Sequence, residues 1–189
     1  ALVILFNLPT SSVFEQKIGE VFSIQKLGET IQITNNEEEI YNSLLETSMT
    51  TSFANAAWLE IMDNKGKYTD FININIEKHE VFDIKKTLKH IGWYQDKKTV
   101  VFKDINKKNK LKSIDSQFQS VLVIPLFATS KYLGKLVLLK KEQDAFNKEA
   151  TNISQTLTNQ ASTAIINSRL LKEAIINERY QKERKIAKE

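Results

Sequence analysis

Apolar residues along this chain recur first at the spacing of a helix, then at that of strands, and at the end at that of a helix again. Phe14, Ile18, Val21, Phe22, Ile24, Leu27 and Ile31 predict a first helix over residues 13–33, with Thr10, Ser11 and Ser12 as candidate N-caps and Gly19 and Gly28 weakening it. Asn36 with Glu39 three residues later is a capping-box pattern. It opens a second helix whose buried face is Ile40, Tyr41, Leu44 and Leu45 and which is expected to dissolve in the run Ser48 to Ser52.

The period then switches to two. Ala56 to Met62 alternates and stops at Asp63-Asn64-Lys65-Gly66, a hairpin-turn sequence, and Phe71 to Glu77 alternates again. In that second strand Ile72, Ile74 and Ile76 are expected on one face and Phe71, Asn73 and Asn75 on the other. A helix over residues 83–95, with Ile84, Leu88 and Ile91 on one side, separates this hairpin from three more strands over 99–103, 120–127 and 132–140. The last two are joined through Ala128 to Lys131.

From Phe146 to Glu189 there is neither Gly nor Pro, and Ile153, Leu157, Ala161, Ala164, Ile165, Ser168 and Leu171 keep helical spacing. Beyond Ile176 the chain is polar from Asn177 to Lys185. A helix of this length spans roughly 60 Å, more than a domain of this size is wide. Its far end is therefore expected to meet a second copy of itself or a following domain. The order of elements, with an antiparallel-leaning sheet of five to six strands flanked by helices, predicts an α+β fold.

Composition adds mainly exclusions. With 41% hydrophobic and 26% charged residues among 189, the chain can bury one sizeable core with helices to spare. The absence of cysteine removes disulfides, thiolate metal sites, cysteine nucleophiles and thioether-linked chromophores, and fits a reducing cytoplasm. The net charge of +4 is evenly interleaved except between Lys97 and Lys112, where Lys97, Lys98, Lys103, Lys107, Lys108, Lys110 and Lys112 face only Asp104. Without interleaved aromatics or arginines this stretch reads as a solvated loop, and no nucleic-acid partner is expected. Residues 1–12 open with an apolar run, Ala1 to Leu8, too short to cross a bilayer. Read as the trailing end of an upstream span, it would tether an otherwise cytoplasmic protein to a membrane; the alternative is a short buried segment.

Catalytic motifs are missing: there is no Gly-rich phosphate loop, no metal-ligand spacing and no nucleophile motif. Asp63, Asp104, Asp115 and Asp144 stand at turn-like positions and read as local hydrogen-bond acceptors.

Two stretches carry a family resemblance. Ser120-Val-Leu-Val-Ile-Pro125-Leu126, a turn, Leu133-Gly134-Lys-Leu-Val-Leu-Leu139, and Phe146 leading to Gln160-Ala161 and Ala164 to Asn167 resemble the C-terminal half of a GAF domain. Glu37 to Leu45 followed by Ala56-Ala57-Trp58-Leu59-Glu60 resembles its opening helix and first strand. The resemblance spans residues 24–171. It implies a GAF-like α+β fold with a six-stranded sheet, helices forming a dimer surface on one face and a small-molecule pocket on the other, in a domain that senses rather than catalyses. The organisation expected is a connector helix at 13–34, the GAF-like domain at 35–171 and a signalling helix at 172–189 leading to an output domain. Glu178 to Glu189 resembles the linker before metal-dependent serine/threonine phosphatase domains of the sigma-factor-regulating kind, and a histidine-kinase output is the alternative.

The pocket-facing residues expected from alternation are Trp58, Glu60, Phe71, Asn73 and Asn75, and the resemblance adds Trp93 and Tyr94 as an aromatic lid. Cyclic nucleotides are not expected: of the family's Asn-Lys, Phe, Asp-Glu signature only Lys141 and Phe146 match, with Lys140, Ala150 and Thr151 in place of the rest. Bilin attachment and the methionine-sulfoxide reduction of some GAF domains resemble cysteine-dependent chemistry. Haem would need an axial histidine, and only His79 and His90 exist. No cofactor is assigned. The partner expected is a second copy, through the N- and C-terminal helices, and a ligand-free dimerisation domain is the competing reading.

Overall fold

The computed structural model describes residues 21–22, 25, 27–29, 36–63, 65–90, 97–106 and 116–186. Among them five strands form one antiparallel sheet: β1 (Ala56–Met62), β2 (Tyr68–Ile74), β3 (Val100–Phe102), β4 (Ser120–Ala128) and β5 (Lys131–Lys140), in the order β2-β1-β5-β4-β3. Helices α1 (Glu37–Ser52) and α3 (Lys148–Ile186) cover one face and α2 (Lys78–His90) the other, so the chain is α+β as its patterning predicts.

Strand alternation sorts the core into two layers. Ala57, Leu59 and Ile61 of β1, with Leu122, Ile124, Leu136 and Leu138, pack under Ile40, Leu44 and Leu45 of α1 and Leu157, Ala161 and Ile165 of α3. Trp58 of β1, with Val121, Val123, Val137 and Leu139, packs under Val81, Ile84 and Leu88 of α2. At the N-terminal side Val21, Phe22, Gln25 and Leu27 to Glu29 are helical, and Leu27 is fully buried in the first layer. The remainder of the helix expected over 13–33 lies outside the described residues, as do residues 91–95 of the helix expected after the hairpin.

Several boundaries differ from the expectation, each for a local reason. Helix α1 does not dissolve at Ser48; it runs to Ser52, because Thr51 and Ser52 turn their hydroxyls back onto the carbonyls of Thr47 and Ser48, 2.8 and 2.6 Å away, and are buried against the sheet. It stops at Phe53, which is left-handed (φ 53°). Strand β2 begins three residues earlier than alternation from Phe71 suggests and ends at Ile74. Asn75 is left-handed at φ 57°, which breaks the alternation. Ile76 therefore does not share a face with Ile72 and Ile74; it packs in the α2 layer. Helix α2 starts at Lys78, not Asp83, behind a Glu80 carboxylate that accepts the Glu77 amide at 3.2 Å. Helix α3 starts at Lys148, after Phe146, with the Asn147 side chain accepting the Ala150 amide at 2.8 Å.

Helix α3 adheres to the body only for part of its length. Its buried residues end at Ser168, Arg169 is partly buried, and every residue from Leu170 to Ile186 is exposed. The free portion projects about 25 Å. No helix among the described residues is long and apolar enough to cross a membrane.

Candidate functional site

The α2 face of the sheet carries its charged side chains along one row. Pairing sets Phe71 of β2 opposite Glu60 of β1, and Lys135 of β5 on Glu60's other side. Side chains directly opposite across antiparallel strands share a face, so this row places a carboxylate and an ammonium group under α2. The Glu60 residue is 2% exposed and Lys135 6%.

Burial of a carboxylate requires compensation, and Glu60 has three partners. The Trp58 indole donates Nε1–H to Oε1 at 2.9 Å, Lys85 of α2 places Nζ 2.7 Å from the same oxygen, and Lys135 Nζ lies 3.4 Å from Oε2. Rings flank both cations: Lys85 Nζ is 5.4 Å from the centre of Phe71 and Lys135 Nζ 5.7 Å from that of Tyr68. Burial pushes the Lys135 ammonium below its ordinary pKa; Glu60 opposes that shift and Lys85 reinforces it. The resulting constellation is a desolvated acid–base cluster able to hold a polar group.

Trp58 and Glu60 are therefore brought together, at the centre of the cluster, and Phe71 stands at its edge. Asn73 lies on the same face, half-buried opposite Trp58, but its amide donates to the Ile76 carbonyl. Asn75 is exposed and donates to the Asn55 carbonyl at 3.2 Å. Both amides fasten the turn out of β2. Trp93 and Tyr94 lie outside the described residues, as do Lys107, Lys108, Lys110 and Lys112 of the basic stretch; Lys103 pairs with Asp144 at 2.9 Å. Alternation could not show Lys85 and Lys135, because their approach to Glu60 depends on β5 inserting beside β1 and on α2 crossing above.

A second polar assembly lies where α3 leaves the body. Arg169 directs Nε to Glu37 Oε2 at 2.9 Å, Nη1 to the Met62 carbonyl at 2.9 Å and Nη2 to the Tyr41 hydroxyl at 3.4 Å. Tyr41 donates to the same Glu37 oxygen at 2.7 Å, and Lys172 reaches Oε1 at 2.9 Å. Burial alone would raise the Glu37 pKa. Hydrogen bonds from Tyr41, Lys172 and Arg169, with the charge of Arg169, outweigh it and hold the carboxyl below its ordinary range. The sequence signals were Glu37 in the first turn of a helix and Arg169 at the end of an apolar stripe, which do not announce each other across the chain.

An open cleft of about 570 Å³ lies at the β3 edge, lined by Val101, Lys103, Asp144, Phe146, Asn147, Lys148 and Thr151. No group of three or more His, Asp or Glu side chains among the described residues could hold a metal ion.

No family model matches the chain, and no curated protein matches it. Solved structures do. The GAF domain of an Acinetobacter phosphoenolpyruvate-protein phosphotransferase is similar with a TM-score of 0.62 at 14% identity, over 80% of this chain and 95% of that one. The GAF domain of a putative sensor histidine kinase from Pseudomonas syringae pv. tomato gives 0.60 at 19%, over 88% and 96%. The free methionine-R-sulfoxide reductase of Neisseria meningitidis gives 0.56 at 12%, over 80% and 91%. Identity this low speaks to fold: the chain has the GAF fold, with its long terminal helix.

Proposed function

We propose that this chain is a regulatory sensor domain of a bacterial signalling protein, in which a small molecule taken up on the α2 side of the sheet sets the position of α3, and α3 relays that state to an output domain. The observation that carries the reading is the division of α3 at Arg169: the helix packs on the sheet face opposite the Glu60 cluster and then runs exposed to Ile186. A helix that holds its geometry beyond its own domain is suited to report on that domain. Several solved neighbours are GAF domains by name, among them that of a putative sensor histidine kinase and that of a phosphotransferase.

The domain itself is read as non-catalytic and cytoplasmic. Although one neighbour is a reductase, this chain has no cysteine. The output assigned is a serine/threonine phosphatase, on the likeness of Glu178 to Glu189 to the linker before such domains.

Relay through a helix pair requires a second copy. Val21 and Phe22 are 64% and 66% exposed, and Leu170, Leu171, Ile175 and Ile176 of α3 are also exposed. These apolar positions supply the seam of the homodimer in this reading. Native mass spectrometry of the purified chain tests both parts. A dimer carrying a bound small molecule is the expected result; a monomer at high concentration with nothing bound would remove the reading.

A further inference from the structure

The polar assembly at the exit of α3 joins three elements, α3, α1 and β1. Arg169 is the last residue of α3 before the exposed stretch, and its side chain, 12% exposed, touches the first turn of α1 through Glu37 and Tyr41 and the end of β1 through the Met62 carbonyl. The two oxygens of Glu37 hold successive positions on α3, Oε2 taking Arg169 and Oε1 taking Lys172. Two attachments three residues apart lie on one face of a helix. Together they fix both the height of the helix and its rotation at the point where it becomes free.

Strand β1 connects this assembly to the other one. Met62 follows Glu60 by two residues, about 7 Å along the strand. Glu60 lies under α2 with Trp58, Lys85 and Lys135, while Arg169 grips Met62 through its backbone from the opposite side of the sheet. Strand β1 is hydrogen-bonded on both edges, to β2 and β5, as far as Ile61, and Met62 pairs with Tyr68 of β2. The β1–β2 register shifts between Ile61 and Met62, between the two attachment points.

We propose that Arg169 is the coupling residue of this domain: it transmits the position of the β1 end, set by the state of the Glu60 cluster, to the exposed portion of α3. A tilt of about 5° at this point moves the end of a free segment about 25 Å long by roughly 2 Å. Arg169 acts through other groups and is a positioning residue. The geometry asks for arginine because three acceptors on two elements, α1 and β1, are met by one planar fork, which a lysine ammonium does not reproduce.

Amide hydrogen exchange on the whole chain tests this. Arg169→Met, which keeps length and removes the donors, is expected to raise exchange in residues 166–176 by about tenfold or more, with β4 and β5 unchanged. Arg169→Lys is expected to fall between wild type and the Met variant. The decisive variant is Glu60→Gln, which alters the cluster without touching Arg169. It is expected to raise exchange in the same stretch of α3 in the wild-type background and to have no further effect beside Arg169→Met. Unchanged α3 exchange in Glu60→Gln, or an equal increment in both backgrounds, would overturn the proposal. If Arg169→Met unfolds the chain, Arg169→Lys replaces it in the same cycle.

The biological meaning rests on the sensor reading, but the two fail separately. Non-additivity without any bound molecule leaves the coupling in place and removes the sensor, whereas a copurifying ligand with independent effects does the reverse.

Discussion

The backbone of Gly134 passes so close to Glu60 that a Cβ built on it would sit 1.9 Å from the Glu60 carbonyl oxygen. Gly134 is paired with Ile61 in β1 and has φ 148°, a conformation that side chains rarely adopt. On β4 the register shifts between Leu126 and Phe127, beside the Leu126–Gly134 pair. The next residue of β5 is Lys135, so this glycine allows the strand to deliver Lys135 to Glu60. Gly134→Ala combines a backbone clash with a strained φ and is expected to destabilise the fold by about 3 kcal/mol or more. The midpoint of urea unfolding measures it, and a loss under about 1 kcal/mol would show that β1 and β5 can separate freely here.

The Glu60 cluster should respond asymmetrically to loss of its members. Glu60→Ala leaves Lys85 and Lys135 facing each other in a desolvated layer and is expected to cost about 3 kcal/mol or more. Lys135→Met leaves Glu60 with Lys85 and the Trp58 indole, and it removes an ammonium group that burial already disfavours. It is expected to cost roughly 1 kcal/mol or less. Urea unfolding of the two variants side by side decides the matter: equal losses would mean that Lys135, not Lys85, is the principal counter-ion.

Much of this was visible in the sequence, and the parts that were not share a cause. Alternation in β1 placed Trp58 and Glu60 on one face, and the continuous apolar runs at 120–127 and 132–140 announced the central β4–β5 hairpin. Reading alternation past Ile74 failed at Ile76 because the left-handed turn at Asn75 is a backbone event that a two-residue period cannot register. The end of α1 was misplaced because Ser48 to Ser52 look like helix breakers until their hydroxyls find carbonyls one turn back. Partners distant in sequence were invisible: Glu60 with Lys135, and Glu37 with Arg169, meet only after the sheet order and helix packing are fixed.

Acid should loosen the α3 attachment selectively. The folded-state pKa of Glu37 lies below its ordinary value of 4.5, so its contribution to stability is present above that value and is lost as pH falls through the lower, folded pKa. Wild type is therefore expected to lose stability below about pH 4.5 more steeply than Glu37→Gln, whose amide does not titrate. Thermal unfolding of both proteins between about pH 6 and 3 checks the sign. Parallel curves would indicate that the carboxylate has no net preference for the folded state.

The α1–α3 contact supplies a prediction of opposite sign. Ser48 on α1 and Ser154 on α3 are both fully buried, and neither Oγ has a hydrogen-bond partner among the described residues. Their neighbours Ser52, Thr158 and Ser162 do find carbonyls one turn back, at 2.6 to 2.7 Å. A buried hydroxyl without a partner is destabilising, whereas a methyl in the same space is not. Ser48→Ala and Ser154→Ala are therefore expected to leave stability unchanged or raise it by about 1 kcal/mol each, with alanine's better helix propensity contributing. Thr158→Ala, which removes a bonded hydroxyl and a packed methyl, is expected to cost about 1 kcal/mol. A loss of that size in either serine variant would place an ordered water between the helices, bonded to that hydroxyl.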